Sequence, residues 1–420
     1  MTLAVTVSGS ITLTSFTITG NSSRYPLNIN PSSATNVSIG SITGDFVRWA
    51  NCSVSGAAAP INLNAMCDMG GNTGITFTYN RYWVGGSGNW SQAGGNHWAK
   101  TSGGSADQIA PNLNDNAIFD VNSFTSGSKT VTSDTTGFVC KSINFTDAIT
   151  NAVFTGTTNA ISVYGDLTFN ASLSGNVNIT FTGNGDSVIR MNGCDYAGVI
   201  TMTKTSSSAK VDQADDFNAT GTQGSIQFRT GVWNTNNHDI NAKYLASSTG
   251  TATFNMGSSQ VKGISQLDFT GGTTTINAQT STFVVGGNIN ISFKTGTTIN
   301  NLYVLSGFTG TMVNPFVCND VKLGAAGLLL ITAGRTLTLN SLTSLSSSGT
   351  KATLRSATSG SKAYVSSNSP LVITNYWNIK DLTAQGTAVW FAGSGSVDQG
   401  NNTNWSFTSP TTFRPKIIII

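Results

Sequence analysis

The 420-residue chain contains no glutamate; all 18 acidic residues are aspartates. Exposed helices draw heavily on Glu and Lys, which lose little rotamer freedom in a helix. Only 9% of residues are charged, where roughly a quarter is ordinary, so there is little material for solvent-facing helices. The two histidines, His97 and His238, and the absence of any CxxC pair argue against a zinc centre. The five cysteines, Cys52, Cys67, Cys140, Cys194 and Cys318, are scattered and odd in number. They read as small buried hydrophobes, with Cys52 and Cys67 as the pair available for a disulfide. The longest apolar stretch, 325–333, is interrupted by Gly327 and Thr332 and falls far short of the roughly 20 residues of a membrane helix. A net charge of +3 without an arginine-rich run gives no electrostatic footprint for nucleic acid. The expectations are no nucleic-acid partner, no membrane insertion and no cofactor.

What is abundant points to strands. The chain is rich in Thr, Val and Ile, has 21 Phe and 8 Trp, and carries 46 Gly. Branched and aromatic residues favour pleated strands, while Gly and Asn favour the corners between them. Disordered chains lack such a hydrophobic content. Short period-2 alternations recur, among them Leu167/Phe169, Val177/Ile179/Phe181, Leu267/Phe269, Ile289/Ile291/Phe293, Leu302/Val304, Leu337/Leu339 and Leu371/Ile373. Each reads as a strand with one buried face. The group Phe138-Val139-Cys140, Ile143, Phe145 recurs with the same spacing as Phe316-Val317-Cys318, Val321, Leu323. Hairpin signals are rare and the triplets resemble one another, so the chain is expected to be all-β, a parallel β-solenoid of coils of roughly 20 residues. Tandem β-sandwiches are the alternative.

A second repeat joins the ends of the chain. Asp68, Gly70, Asn72, Thr73, Phe77 and Thr78 recur as Asp398, Gly400, Asn402, Thr403, Phe407 and Thr408, an offset of 330 throughout, and Gly56 and Ala58 match Gly386 and Ala388. This DxGxNTxxxFT element is expected to close a module. The organisation that follows is an N-terminal strand-rich module, 1–80, serving docking or forming a short solenoid, then a Trp-rich capping segment, 81–123. The main solenoid, 124–409, and a hydrophobic tail, 410–420, complete the chain.

Residues 82–123 carry WxGGxGNW, a second Trp after a spacer, and PxxxDNAxFD, on Trp83, Gly85, Gly86, Gly88, Asn89, Trp90, Trp98, Pro111, Asp115, Asn116, Phe119 and Asp120. The segment resembles the opening element of β-helical phage tail-fibre and virion proteins and is similar to autotransporter passenger repeats. Physically it suits a cap: Trp83, Trp90 and Trp98 can cover the open end of a stack, and Asp115 and Asp120 can bond backbone amides at the turn into the first coil. Exposed tryptophans would instead form a sugar-binding platform. Asp398 and Trp405 are the corresponding candidates at the closing end.

The resemblance implies a bacteriophage virion protein, whether tail fibre, tailspike or capsid-attached fibre, for host-surface attachment. The expected partners are other virion proteins, copies of itself in a homo-oligomer, with a trimer favoured, and a host-surface glycan or protein. The N-terminal twenty residues alternate and lack a basic region before an apolar core, so they read as strands and not as an export signal. Synthesis in a host cytoplasm and location in the virion are expected. A bacterial surface adhesin and a polysaccharide-degrading tailspike enzyme are the alternatives. The second would need paired carboxylates, for which Asp212, Asp215 and Asp216 are the densest cluster, and these read more simply as turn-capping acids. The enzyme expectation is therefore negative. Ile417, Ile418, Ile419 and Ile420 have high β propensity and are the candidates for an assembly contact by strand addition.

Overall fold

The structure, a computed structural model, describes residues 10–408 except 20–26, 30, 32–34, 60, 62–63, 69–70, 76–79, 92–94, 107, 109, 125–126, 128, 147–149, 157–159 and 369. Among the described residues every regular element is a strand. The chain divides into two compact units, Met1–Val199 and Ile200–Ile420.

The first unit contains two sets of coils. In the earlier set, Ile11–Leu13, Thr35–Ile39 and Cys52–Ser55 form one parallel ladder. Phe16–Thr19 and Leu27–Ile29 pair in parallel with the two halves of Ile42–Trp49, which pairs in turn with Asn64–Asp68. Alternation places Val37, Ile39, Val47, Trp49, Cys52 and Val54 in one core. Successive side chains of a strand face opposite ways, and the register stacks Val37 between Ile11 and Val54.

The later set begins at Asn80–Trp83. This strand pairs antiparallel with Trp98–Ala99 and in parallel with Asn116–Phe119. One ladder then continues through Ser142–Phe145, Leu167–Thr168 and Ser187–Arg190. A second runs from Val139–Cys140 through Ala160–Val163 to Asn178–Phe181. A third runs from Gly88–Asn89 through Thr130–Thr132 and Val153–Thr155 to Ser174–Gly175. Each coil thus has three strand faces, and its inward side chains are covered by the coils above and below at about 4.8 Å.

The second unit repeats the plan. One inward column, Ile240, Val261, Phe283, Leu302, Val321, Leu342 and Ile373, is in continuous register. Six of the seven are fully buried, Ile373 being half-buried. A second run of rings, Phe254, Phe269 and Phe293, stacks at centroid distances of 5.8–5.9 Å, and Phe316 meets Phe293 edge-on at 5.1 Å. Gly310, in register between Ile289 and Leu329, leaves room for Ile291: a Cβ there would lie 2.8 Å from Ile291 Cδ1. The corners turn on left-handed asparagines such as Asn192, Asn236 and Asn237, the non-glycine residue that tolerates that conformation best.

The fold is therefore the expected parallel β-solenoid. Sandwiches are excluded by the pairing, since sandwich strands run antiparallel. The alternating triplets are buried as read, with Leu371 and Ile373 the exception: both are half-buried. The repeated Cys140/Ile143/Phe145 and Cys318/Val321/Leu323 groups point inward at the same phase. Cys52, Cys140, Cys194 and Cys318 are buried free thiols, and the side chain of Cys67, the expected partner of Cys52, lies outside the described residues. Burial pushes the Cys194 thiol up to about 12 and the Cys140 thiol well above the ordinary range.

Candidate functional site

The 330-residue offset is a repeat of hydrogen bonds as well as of residues. At the first closing element Asn72 Oδ1 accepts the Cys52 amide at 3.0 Å, and its Nδ2 donates to Trp49 O at 2.8 Å. At the second, Asn402 Oδ1 accepts the Leu382 amide at 3.0 Å, and its Nδ2 donates to Ile379 O at 2.8 Å. The single bridges Ser53↔Thr73 and Thr383↔Thr403 also correspond. So do the left-handed corners Asn51 and Asp381, Gly56 and Gly386, Gly71 and Asn401, and Gly74 and Asn404. In both places the side-chain amide substitutes for a strand partner, joining the last coil to the one before it. At the second element Asp398 Oδ1 also accepts from Gly400 N at 2.9 Å and Asn402 Nδ2 at 2.6 Å. This element adds a tryptophan pair as well: Trp405, half-buried, meets Trp390 edge-on at 5.0 Å. At the first element the backbone of Asp68 ends a strand, while Gly70, Phe77 and Thr78 lie outside the described residues.

The tryptophans of the opening segment are wholly internal. Trp83, Trp90 and Trp98 are each 0% exposed, so they form no exposed sugar platform. Trp98 packs edge-on against Trp83 at 5.1 Å and Trp90 at 5.0 Å. The cluster rests on Phe119, itself stacked on Phe145 at 4.1 Å. The glycines of the motif make room for it. Gly85 and Gly86 both have φ +85°, and a Cβ on Gly88 would fall 2.1 Å from His97 Nε2. The His97 ring lies parallel to Trp83 at 4.8 Å.

Beside the cluster is a buried ion pair. Arg81 Nε donates to Asp115 Oδ2 at 3.3 Å, both side chains nearly inaccessible, and Arg81 also donates to buried Gln108. Burial raises the Asp115 carboxyl above its ordinary value, opposed by Arg81 and by the Asn112 amide. Asp120 Oδ1 accepts the Asn122 amide at 3.0 Å. The two acids bond backbone amides at turns, and Pro111 is buried next to them.

The acids weighed as a catalytic cluster occupy different elements. Asp212 stands on Lys210–Gln213, and Asp215 and Asp216 occupy the following corner. Asp212 Oδ1 accepts from Asn234 Nδ2 at 2.5 Å. Asp216 Oδ1 accepts the Asp239 amide at 2.9 Å, with His238 Nδ1 3.8 Å away, and Asp239 Oδ1 accepts the Gln260 amide at 2.7 Å. These carboxylates join one coil to the next. Among the described residues no group of acids, histidines and cysteines has the arrangement of a metal site. Ile417, Ile418, Ile419 and Ile420 lie outside the described residues.

Asp212 begins a feature that sequence reading missed. Asn234 donates to Asp212, Asn255 donates to Asn234 at 2.6 Å, and Asn277 donates to Asn255 at 2.6 Å. Each amide follows an apolar residue of a strand: Trp233-Asn234, Phe254-Asn255 and Ile276-Asn277 at strand ends, and Ile299-Asn300, Cys318-Asn319 and Leu339-Asn340 within strands. That dipeptide at coil spacing was the available signal. The row is broken once. Asn300, which the register sets opposite Asn319, turns its Nδ2 to Ser281 O at 3.4 Å. The row resumes with Asn340 donating to Asn319 at 3.2 Å. At the break the strand Thr273–Asn277 is in ladder with Thr251–Asn255, and the next ladder on this face joins Thr298–Val304 to Phe316–Leu323. Ile276 is half-buried although its register partner Phe254 is fully buried. A shallow depression of 620 Å³ opens there, between Ile276, Asn277 and Gln279 on one side and Thr298, Asn300, Val317, Asn319 and Asn340 on the other.

Comparison with known proteins gives no significant match to a family model, a curated protein or a solved structure.

Proposed function

We propose that the protein is a bacteriophage virion component, a tail fibre, tailspike or capsid-attached fibre, that binds the host surface without chemical turnover. The observation that carries this reading is the parallel solenoid with sparsely charged outer faces. Its outward positions are rich in Thr, Ser and Asn, with charges scattered among them, and stacked acids such as Asp216 and Asp239 are engaged by amides of neighbouring coils. Such faces offer many weak hydrogen-bonding groups, which gain strength when several copies act together. The Trp-rich opening segment, with its resemblance to virion proteins, supports the same reading. A homo-oligomer, with a trimer favoured, would supply the copies.

Two measurements test it. Purified particles probed with antibody against the protein are expected to label; unlabelled particles refute the virion assignment. The purified protein is expected to bind host cells and to leave host polysaccharide intact. Release of shorter oligosaccharides, lost in Asp215→Asn and Asp216→Asn, refutes binding without turnover.

A further inference from the structure

The depression at the break in the asparagine row has the composition of a ligand site. We propose that it binds one sugar ring of a neutral glycan, an assignment that rests on the attachment reading and names its contact point. In the unbroken part of the row every amide is used twice: Asn234 and Asn255 each donate to the preceding coil and accept from the following one. At the break this mutual satisfaction stops. Asn277 Oδ1 has no donor and Asn319 Nδ2 no acceptor among the described residues, because Asn300 is turned away to Ser281. The two amides stand two coils apart, about 10 Å at the ordinary strand spacing. They present one acceptor and one donor across an open space.

A hydroxyl group donates and accepts, so a ring bearing hydroxyls on both edges matches this pair. Gln279 adds an amide with no partner among the described residues, on a backbone held at φ +46°. Side chains other than Gly and Asn rarely adopt that conformation, and such strain gathers at binding sites. Ile276 and Val317 give the depression an apolar floor for the C–H face of a sugar. No charged residue lines it among the described residues, which selects neutral ligands over sialylated or sulfated ones. A volume of 620 Å³ lies within the usual range for small-ligand sites.

The test applies the full-length protein to an array of neutral oligosaccharides of glucose, galactose, mannose and N-acetylglucosamine, with sialylated and sulfated oligosaccharides alongside. The expected result is binding to neutral members, weakened about tenfold in Asn277→Ala and again in Asn319→Ala. Gln279→Ala should weaken it less, and Asn234→Ala, in the closed part of the row, should leave it unchanged. All variants are first compared with the wild type by circular dichroism. Because the changed amides are on the surface, folded variants are expected. Neutral binding that survives in folded Asn277→Ala and Asn319→Ala protein overturns this site. Preference for charged glycans overturns the ligand class. Either result leaves the attachment reading intact if the protein still binds host cells, whereas loss of cell binding by the wild type would overturn that reading itself.

Discussion

The closing elements make the sharpest quantitative expectation. Asn402→Ala removes the bond to the Leu382 amide and the bond to Ile379 O. Its third bond, to Asp398, is on the exposed side and is discounted for solvent screening. Two neutral bonds at about 0.5–1.5 kcal/mol each, with the Leu382 amide left without its partner, give about 2–3 kcal/mol. In a stack of coils this loss is felt locally, as opening of the end coil, rather than as a shift of the whole unfolding transition. Hydrogen exchange followed by mass spectrometry is the appropriate assay. Amides of Leu382–Gln385 should exchange about 30- to 150-fold faster at that cost, with those of Phe283 and Leu302 unchanged. Asn72→Ala should do the same to Cys52–Ser55, because the two bonds it removes have the same lengths. Unchanged protection at Leu382–Gln385 in folded Asn402→Ala protein would refute the claim that the amide joins the last coil to its neighbour. Acceleration at one element without the other would refute their equivalence.

Three further outcomes follow from the same structure. Asp115→Ala leaves Arg81 buried without its partner and should cost about 3–5 kcal/mol in chemical denaturation, while Arg81→Met with Asp115→Leu should restore most of the loss; equal damage from both would show that the pair is not the cause. Trp98→Ala should cost about 3–5 kcal/mol, read as loss of near-ultraviolet circular dichroism from the ring cluster, and a folded variant with an unchanged spectrum contradicts the packing described. The third concerns acid. The Asn401 hydrogen bond, at 2.7 Å, lowers the Asp381 carboxyl below its ordinary range, so its stabilisation is present above the unfolded value of about 3.9 and is lost as pH falls through the folded value. Exchange at the second closing element should therefore accelerate below about pH 4, and Asp381→Asn should flatten that dependence.

The fold was legible because period-2 alternation and corner residues are local signals, and in a solenoid each coil repeats them. The offset that pairs Asn72 with Asn402 was equally legible, since both positions must make the same two bonds. The internal placement of Trp83, Trp90 and Trp98 was only half legible: the glycines around them are compatible with an exposed platform until His97 is seen packed on Gly88. The asparagine row was hidden by abundance. Asn is frequent at corners for its tolerance of left-handed φ, and a row differs from a set of corners only in following an inward residue. The break could not be read at all, because it depends on the rotamer of Asn300 and on where one ladder ends.

The scarcity of charged residues and the asparagine row have one physical origin. Stacking coils bring equivalent side chains to about 4.8 Å, where like charges on successive coils repel and a carboxylate, which only accepts, cannot bond another. An amide donates with one end and accepts with the other, so Asn234, Asn255 and Asn277 can repeat without limit. An acid fits only where the row starts, as Asp212 does, or where a backbone amide from the next coil meets it, as at Asp216 and Asp239. The same logic appears at the corner shared by the two closing elements, which is Asn51 in one and Asp381 in the other. Asp381 is tolerated because Asn401 and Gly360 both donate to it. A row built on mutual amide bonding satisfies its own amides, and it leaves a donor and an acceptor unused where one amide turns out of the row, as Asn300 does. The proposed glycan contact lies at that break for this reason.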